Sequence, residues 1–257
     1  MNSRYVRLII ACSIVSMSFD SPARGQEGWG TIKGKVVWAG AAAPNFGNVN
    51  VTKDQGECLK QGPIADNVFQ VDAKTNGVSN VVIWLRAKDD DTVLKVHKDL
   101  ESPSKEKVVI DRPCCMFEPR VVVMRAGQIL VVKNSSAIGH SAMMVGRANS
   151  FNLAIAASGS LEKEMKAERK PVDLTCASHG WMKGLIGVFD HPYFFLTKAA
   201  GEFELQKAPA GNLRLFIFHQ KTGWLNKNGS AGQPIAIKAG QTLDLGKIEV
   251  GNKNLLP

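Results

Sequence analysis

The sequence predicts an all-β protein, and three observations carry that reading: short runs rich in β-branched and aromatic residues recur along the chain, Gly, Pro, Asn and Ser punctuate them, and no long amphipathic helix is visible. The runs are residues 31–38, 78–86, 107–111, 121–124, 128–133, 193–197, 202–205, 212–219 and 234–238. The first closes on Val36, Val37 and Trp38, and the second collects Val81, Val82, Ile83 and Trp84. Val108 to Ile110, Val121 to Val123 and Ile129 to Val132 supply the next three. Tyr193, Phe194 and Phe195, then Phe203, then Phe216 to Phe218, then Ile235 and Ile237 supply the rest. Residues 160–170 are charged enough for either one short helix or an exposed strand.

Residues 1–25 read as a secretory signal peptide: a short basic start to Arg7, a largely apolar run over 8–19, and cleavage near Ala23 or Gly25. That run is too short for a membrane span, which needs about 20 residues. A competing reading takes Ile9-Ile10-Ala11-Cys12 as a lipoprotein signal anchored at Cys12. The expectation is a periplasmic or secreted protein with no transmembrane span, and a monomer. Cleavage lowers the formal charge from +9 to +7, since Arg4, Arg7 and Arg24 leave with Asp20. A basic surface raises encounter rates with anionic partners without dictating fold. Export and the scatter of Lys and Arg argue against nucleic acid.

The C-terminal half carries Cys176-Ala177-Ser178-His179-Gly180-Trp181-Met182. A thiol, an imidazole and a thioether at this spacing form a copper-ligand loop, because a blue-copper centre uses two imidazoles and a thiolate in a trigonal set with a weak axial thioether. The fourth ligand must come from elsewhere, and His140, after the run 128–133, is the candidate. With Cys176 on the metal, Cys58 is left to pair with Cys114 or Cys115, a crosslink worth roughly 4 kcal/mol in the chain-entropy model. Export lets such a bond persist. Asp89-Asp90-Asp91 could hold a hard cation, and His97, His191 and His219 lack a ligand-like pattern. No G-x-S-x-G, H-E-x-x-H or Gly-rich phosphate loop occurs, so the expectation is a non-enzyme.

Residues 107–190 resemble the cupredoxin family, most closely its amicyanin-like and plastocyanin-like members. The resemblance rests on Met116-Phe117-Glu118-Pro119 before the run to Gly127, on Asn134 and His140 at N-x5-H spacing, on the compact loop from Cys176 to Met182, and on Lys183-Gly184 before an apolar strand. It implies His140, Cys176 and His179 as equatorial ligands, Met182 as the axial one, and one type 1 copper ion. The family usually has Asn after the first histidine and an aromatic two before the cysteine, where this chain has Ser141 and Leu174. These changes bear on reduction potential and copper affinity. Gly139 would let its carbonyl approach as an extra axial donor. The family's loop histidine reaches the surface in an apolar patch, here Trp181, Met143, Met144 and Gly180.

A second resemblance lies at the two ends. The stretch from Gly30 to Gly40, with Thr197 to Leu205 and Pro209 to Leu215, resembles the carboxypeptidase regulatory-like (transthyretin-like) β-sandwich. The expected architecture is therefore a cupredoxin-like Greek-key β-sandwich over 107–189, inserted after a linker at 102–107 into a second small β-sandwich formed by 29–100 together with 190–250. The function expected is an exported blue copper protein that carries single electrons between redox partners, with an acidic partner surface matching the basic chain. The alternatives are a copper-binding protein that stores or delivers the metal without redox duty, and a metal-free extracellular interaction module.

Overall fold

The computed structural model describes residues 28–90 and 92–256. The expected signal peptide, Cys12 and Asp91 lie outside them. The described residues form sixteen strands: β1 (Trp29–Trp38), β2 (Val82–Ala87), β3 (Val108–Ile110), β4 (Val121–Arg125), β5 (Ile129–Lys133), β6 (His140–Val145), β7 (Ser150–Ile155), β8 (Ser160–Glu164), β9 (Val172–Thr175), β10 (Lys183–Phe189), β11 (Phe194–Leu196), β12 (Glu202–Pro209), β13 (Gly211–His219), β14 (Gly223–Trp224), β15 (Gln233–Ile237) and β16 (Thr242–Val250). One short helix, α1 (Gln55–Cys58), joins them. No helix among the described residues is long and apolar enough to cross a membrane.

The strands make four sheets, ordered β12-β1-β16, β11-β2-β13-β14 with β15 on β13, β4-β10-β9-β6-β7, and β3-β5-β8. Successive side chains on a strand face opposite ways, and here that alternation stacks the sheets. On β2, Ile83 and Leu85 enter a core with Ile32, Val36, Phe203 and Leu205 of the β1 sheet. Val82 and Trp84, on the other face, meet Val121, Leu185 and Phe189 of the β10 sheet. On β10, Ile186 and Val188 turn toward Ile110, Leu130 and Val132 of the smallest sheet. The two middle sheets are thus covered on both faces, which is why β2 and β10 read as continuous apolar runs.

The charged stretch 160–170 contributes strand β8, paired antiparallel with β5. Cys58 is bonded to Cys115, and Cys114 stays free. The apolar side chains of Val51 and Cys58, with Val49, Leu59 and Ile64 around them, pack in the core that holds β4, β6, β9 and β10. Gly201, at φ +71°, sits where a Cβ would collide with the carbonyl oxygen of Val36, so β1 can approach that turn only because the side chain is missing.

Trp84 is 1% exposed and packs on Phe216, Phe189 and Trp224 at centroid distances of 5.1, 5.4 and 5.7 Å. Its indole N–H finds no acceptor among the described residues. Trp84→Ala should lower unfolding stability by about 3–5 kcal/mol through the cavity it opens. Trp84→Phe, which keeps most of the ring and removes the unpaired donor, should cost far less. Chemical denaturation of both variants checks this, and near-equal losses would contradict it.

Candidate metal centre

His140 begins β6, and Cys176 directly follows β9. These strands pair antiparallel, with Met143 opposite Thr175, so the register brings the start of β6 beside the end of β9. The loop from Cys176 to Met182 is closed by backbone bonds of its own: His179 N–H donates to Cys176 O at 3.3 Å, Met182 N–H to His179 O at 2.9 Å, and Cys176 N–H to Met182 O at 3.3 Å. This tight turn folds His179 back over Cys176. Met182 ends fully buried in the core that also contains Cys176.

Three of the four expected ligands converge. His140 Nδ1 and His179 Nδ1 are 3.0 Å apart, and they lie 3.8 and 3.6 Å from Cys176 Sγ. All three residues are buried, and their donor atoms form the one cluster of metal-ligating side chains found among the described residues. First-row ions such as zinc sit about 2.0–2.1 Å from imidazole nitrogen and about 2.3 Å from thiolate sulfur. Donors sharing one ion at such lengths stand roughly 3–4 Å apart, as these three do. The residues therefore fit a metal, and two imidazoles with one thiolate are donors that suit copper.

The surroundings prepare the donors for that role. Burial pushes the Cys176 thiol up, but hydrogen bonds from Ser141, His179 and Ser178 outweigh it and leave the thiol below its ordinary value. The thiolate is the form that binds metal. Burial, with the charge of Arg112, lowers His140 to about 4, against an opposing pull from Asp54, so its ring is neutral near pH 7. A neutral imidazole keeps a lone pair for the metal.

Ser141, next to His140, bonds across to the cysteine segment. Its N–H points at Cys176 Sγ at 3.4 Å, and its hydroxyl accepts from Ala177 N–H at 2.8 Å, tying the two ligand segments together. Arg112 is fully buried. Its guanidinium donates to Lys133 O and Ser141 O, both at 3.0 Å, and lies over the Phe117 ring. No carboxylate reaches ion-pair distance of it among the described residues, and the charge that most opposes its desolvation is that of Cys176.

The surroundings of His179 differ from the expected apolar docking patch. Met144 is fully buried, and Met143 faces a separate open cleft with Thr175. His179 itself is 1% exposed, because the segment around Asp54 lies over it: Asp54 Oδ2 accepts from His179 Nε2 at 2.8 Å. Trp181 packs edge-on against the same ring at 5.0 Å and donates its indole N–H to Cys115 O at 3.2 Å. Sequence reasoning missed Asp54 and Arg112. No local spacing links Asp54 to a histidine 125 positions later.

No protein-family model and no curated protein matches the chain. Among solved structures, it is similar to a reduced amicyanin variant at 19% identity and TM-score 0.29, over 34% of this chain and 92% of that one. It is similar to the Cu-containing nitrite reductase NirK from Thermus scotoductus SA-01 at 16% identity and TM-score 0.32, over 37% of this chain and 27% of that one. It is also similar to a purple cupredoxin from Nitrosopumilus maritimus at 16% identity and TM-score 0.28, over 32% of this chain and 98% of that one.

Proposed function

We propose that His140, Cys176 and His179, with Met182 in the axial place, hold one type 1 copper ion, and that the exported protein carries single electrons between redox partners. The observation that carries this reading is the convergence of two imidazole nitrogens and a buried thiol sulfur within 3.8 Å of one another. Bound copper would supply a one-electron couple between Cu(II) and Cu(I), which soft and borderline ligands of this kind accommodate. The chain's part is to keep the donors still. Cys176 is fixed by the bonds from Ser141, and His179 by its own loop.

The two-sandwich organisation belongs to the same proposal, with the copper unit inserted into a discontinuous outer unit. Since His179 is covered, the redox partner meets the cleft beside Thr175, the residue next to Cys176. Arg147, Arg169 and Lys170 line that cleft and outnumber Asp173, while Glu168 is occupied by the backbone N–H groups of Arg147, Ala148 and Asn149. Such a rim suits an acidic partner.

The covered histidine also favours a second reading, in which the protein holds or delivers copper without carrying electrons. The visible spectrum of the copper-loaded, oxidised mature protein separates the two. An intense thiolate-to-copper charge-transfer band that bleaches and returns over repeated redox cycles is the expected outcome. A colourless Cu(I) form that resists oxidation would favour storage or delivery, and a protein that takes up no copper would overturn both.

A further inference from the structure

We infer that Asp54 is a working part of the copper site: a positioning residue that holds His179 from the far side of its ring and closes the edge through which solvent or a competing ligand would reach it. The inference rests on the copper reading above. Asp54 lies far from the ligand loop in sequence, in a segment that no ligand pattern marks.

Two linked features point Asp54 at this task. The first is that it occupies the N-cap position of α1 without capping it. Aspartate at that place ordinarily accepts from the backbone N–H groups of the first turn. Here the side chain makes no such bond, and only the backbone carbonyl serves the helix, accepting from Glu57 and Cys58 N–H at 3.1 and 2.9 Å. The carboxylate is turned away to His179 Nε2. The second is that the Asp54 backbone is left-handed, at φ 52° and ψ 36°, a conformation unfavourable for a residue with a Cβ. Strain of this sort persists where the surroundings over-determine it, and it gathers at functional sites.

The surroundings do over-determine it. Four residues after Asp54, Cys58 is bonded to Cys115. The Cys115 carbonyl accepts from Trp181, whose indole packs on His179. The path from Asp54 through α1, the disulfide and Trp181 thus returns to the same imidazole, and the ring is gripped at its edge and at its side. With Nε2–H donating to Asp54, the other nitrogen, Nδ1, is left as the lone-pair donor that faces His140 and Cys176. The outer partner of a ligating histidine sets its tautomer, its orientation and its basicity.

The test compares the mature, disulfide-bonded protein with Asp54→Ala and Asp54→Asn, following copper release to a Cu(I) chelator, the reduction potential, and modification of His179 by diethyl pyrocarbonate in copper-free protein. Asp54→Ala should still bind one copper per chain, release it about 10–100-fold faster, show a raised potential, and expose His179 to modification. Asp54→Asn can still accept from Nε2–H through its amide oxygen, so release should stay near the wild-type rate, while loss of the negative charge still raises the potential. Intact melting of the copper-free variants shows that they fold. An Asp54→Ala protein that binds copper, releases it at the wild-type rate and keeps its potential would overturn this inference while leaving the copper reading standing. A wild type that takes up no copper would overturn both.

Discussion

Cys176→Ala is expected to abolish the charge-transfer band and nearly all stabilisation by copper, while leaving the metal-free fold close to the wild type. The thiolate is the donor whose orbital overlap with copper would give the colour, and no neighbouring group can replace it: the other free cysteine among the described residues, Cys114, is not in the ligand cluster. A ligand that binds only the folded state stabilises it by about 4 kcal/mol at a free concentration 1,000 times its Kd. Loss of the thiolate should remove most of that gain at the same copper concentration. Cys176 is itself a small buried side chain, so truncation leaves little cavity and the copper-free protein should melt within a few degrees of the wild type. Calorimetry with and without copper, run beside the spectrum, makes the comparison. A variant that keeps both the band and the copper-induced shift would remove Cys176 from the site.

Acid should destabilise the copper-free protein steeply, and two histidines outside the metal cluster should account for much of the loss. Burial lowers His219 to about 3, helped by the charge of Arg120. Burial likewise lowers His191 to about 4, against the pull of Asp190. His219 packs edge-on against Phe69 at 5.0 Å, and its Nδ1 accepts from Lys221 N–H at 3.1 Å. His191 stacks on Phe189 and Tyr193, and its Nδ1 accepts from Tyr193 N–H at 3.1 Å. Each ring is neutral in the folded state and becomes protonated on unfolding below its ordinary value near 6.5. The unfolded chain therefore binds more protons, and stability falls with falling pH. The stability is fully present above about pH 6.5 and is lost down through pH 4 to 3, at about 1.4 kcal/mol per pH unit for each ring. His219→Asn keeps an acceptor for Lys221 and removes the titration, so its stability should fall less between pH 6.5 and 4. Identical curves for variant and wild type in urea titrations across that range would contradict the assignment.

Strands that carry their own β-branched run, such as β1, β5 and β13, were legible from composition. β6 was harder because it opens on His140 and Ser141, residues placed by the site rather than by strand propensity, and continues through two methionines instead of a β-branched run. β7 is mostly exposed along its length, and β16 is interrupted by Gly246 at φ +63°. β8 settled as a strand because the edge of β5 was there to receive it, which local charge could not reveal. For the site, the thiol and the two imidazoles that converge were readable from spacing, since one tight loop and one adjacent strand supply them. Asp54 and Arg112 were not, because each reaches the ligands through a fold that only distant strands create. The choice of Cys115 over Cys114 was equally a matter of which way each neighbour faces.

β1 lies between β12 and β16, pairing antiparallel with one and parallel with the other as far as Val250. Contacts between residues distant in sequence form late, because a long loop has to close before they return any free energy. The ligand residues span only 36 and 39 positions. The convergent donors thus lie within one local stretch of the chain, whereas the outer sheet joins strands from both ends of the described residues.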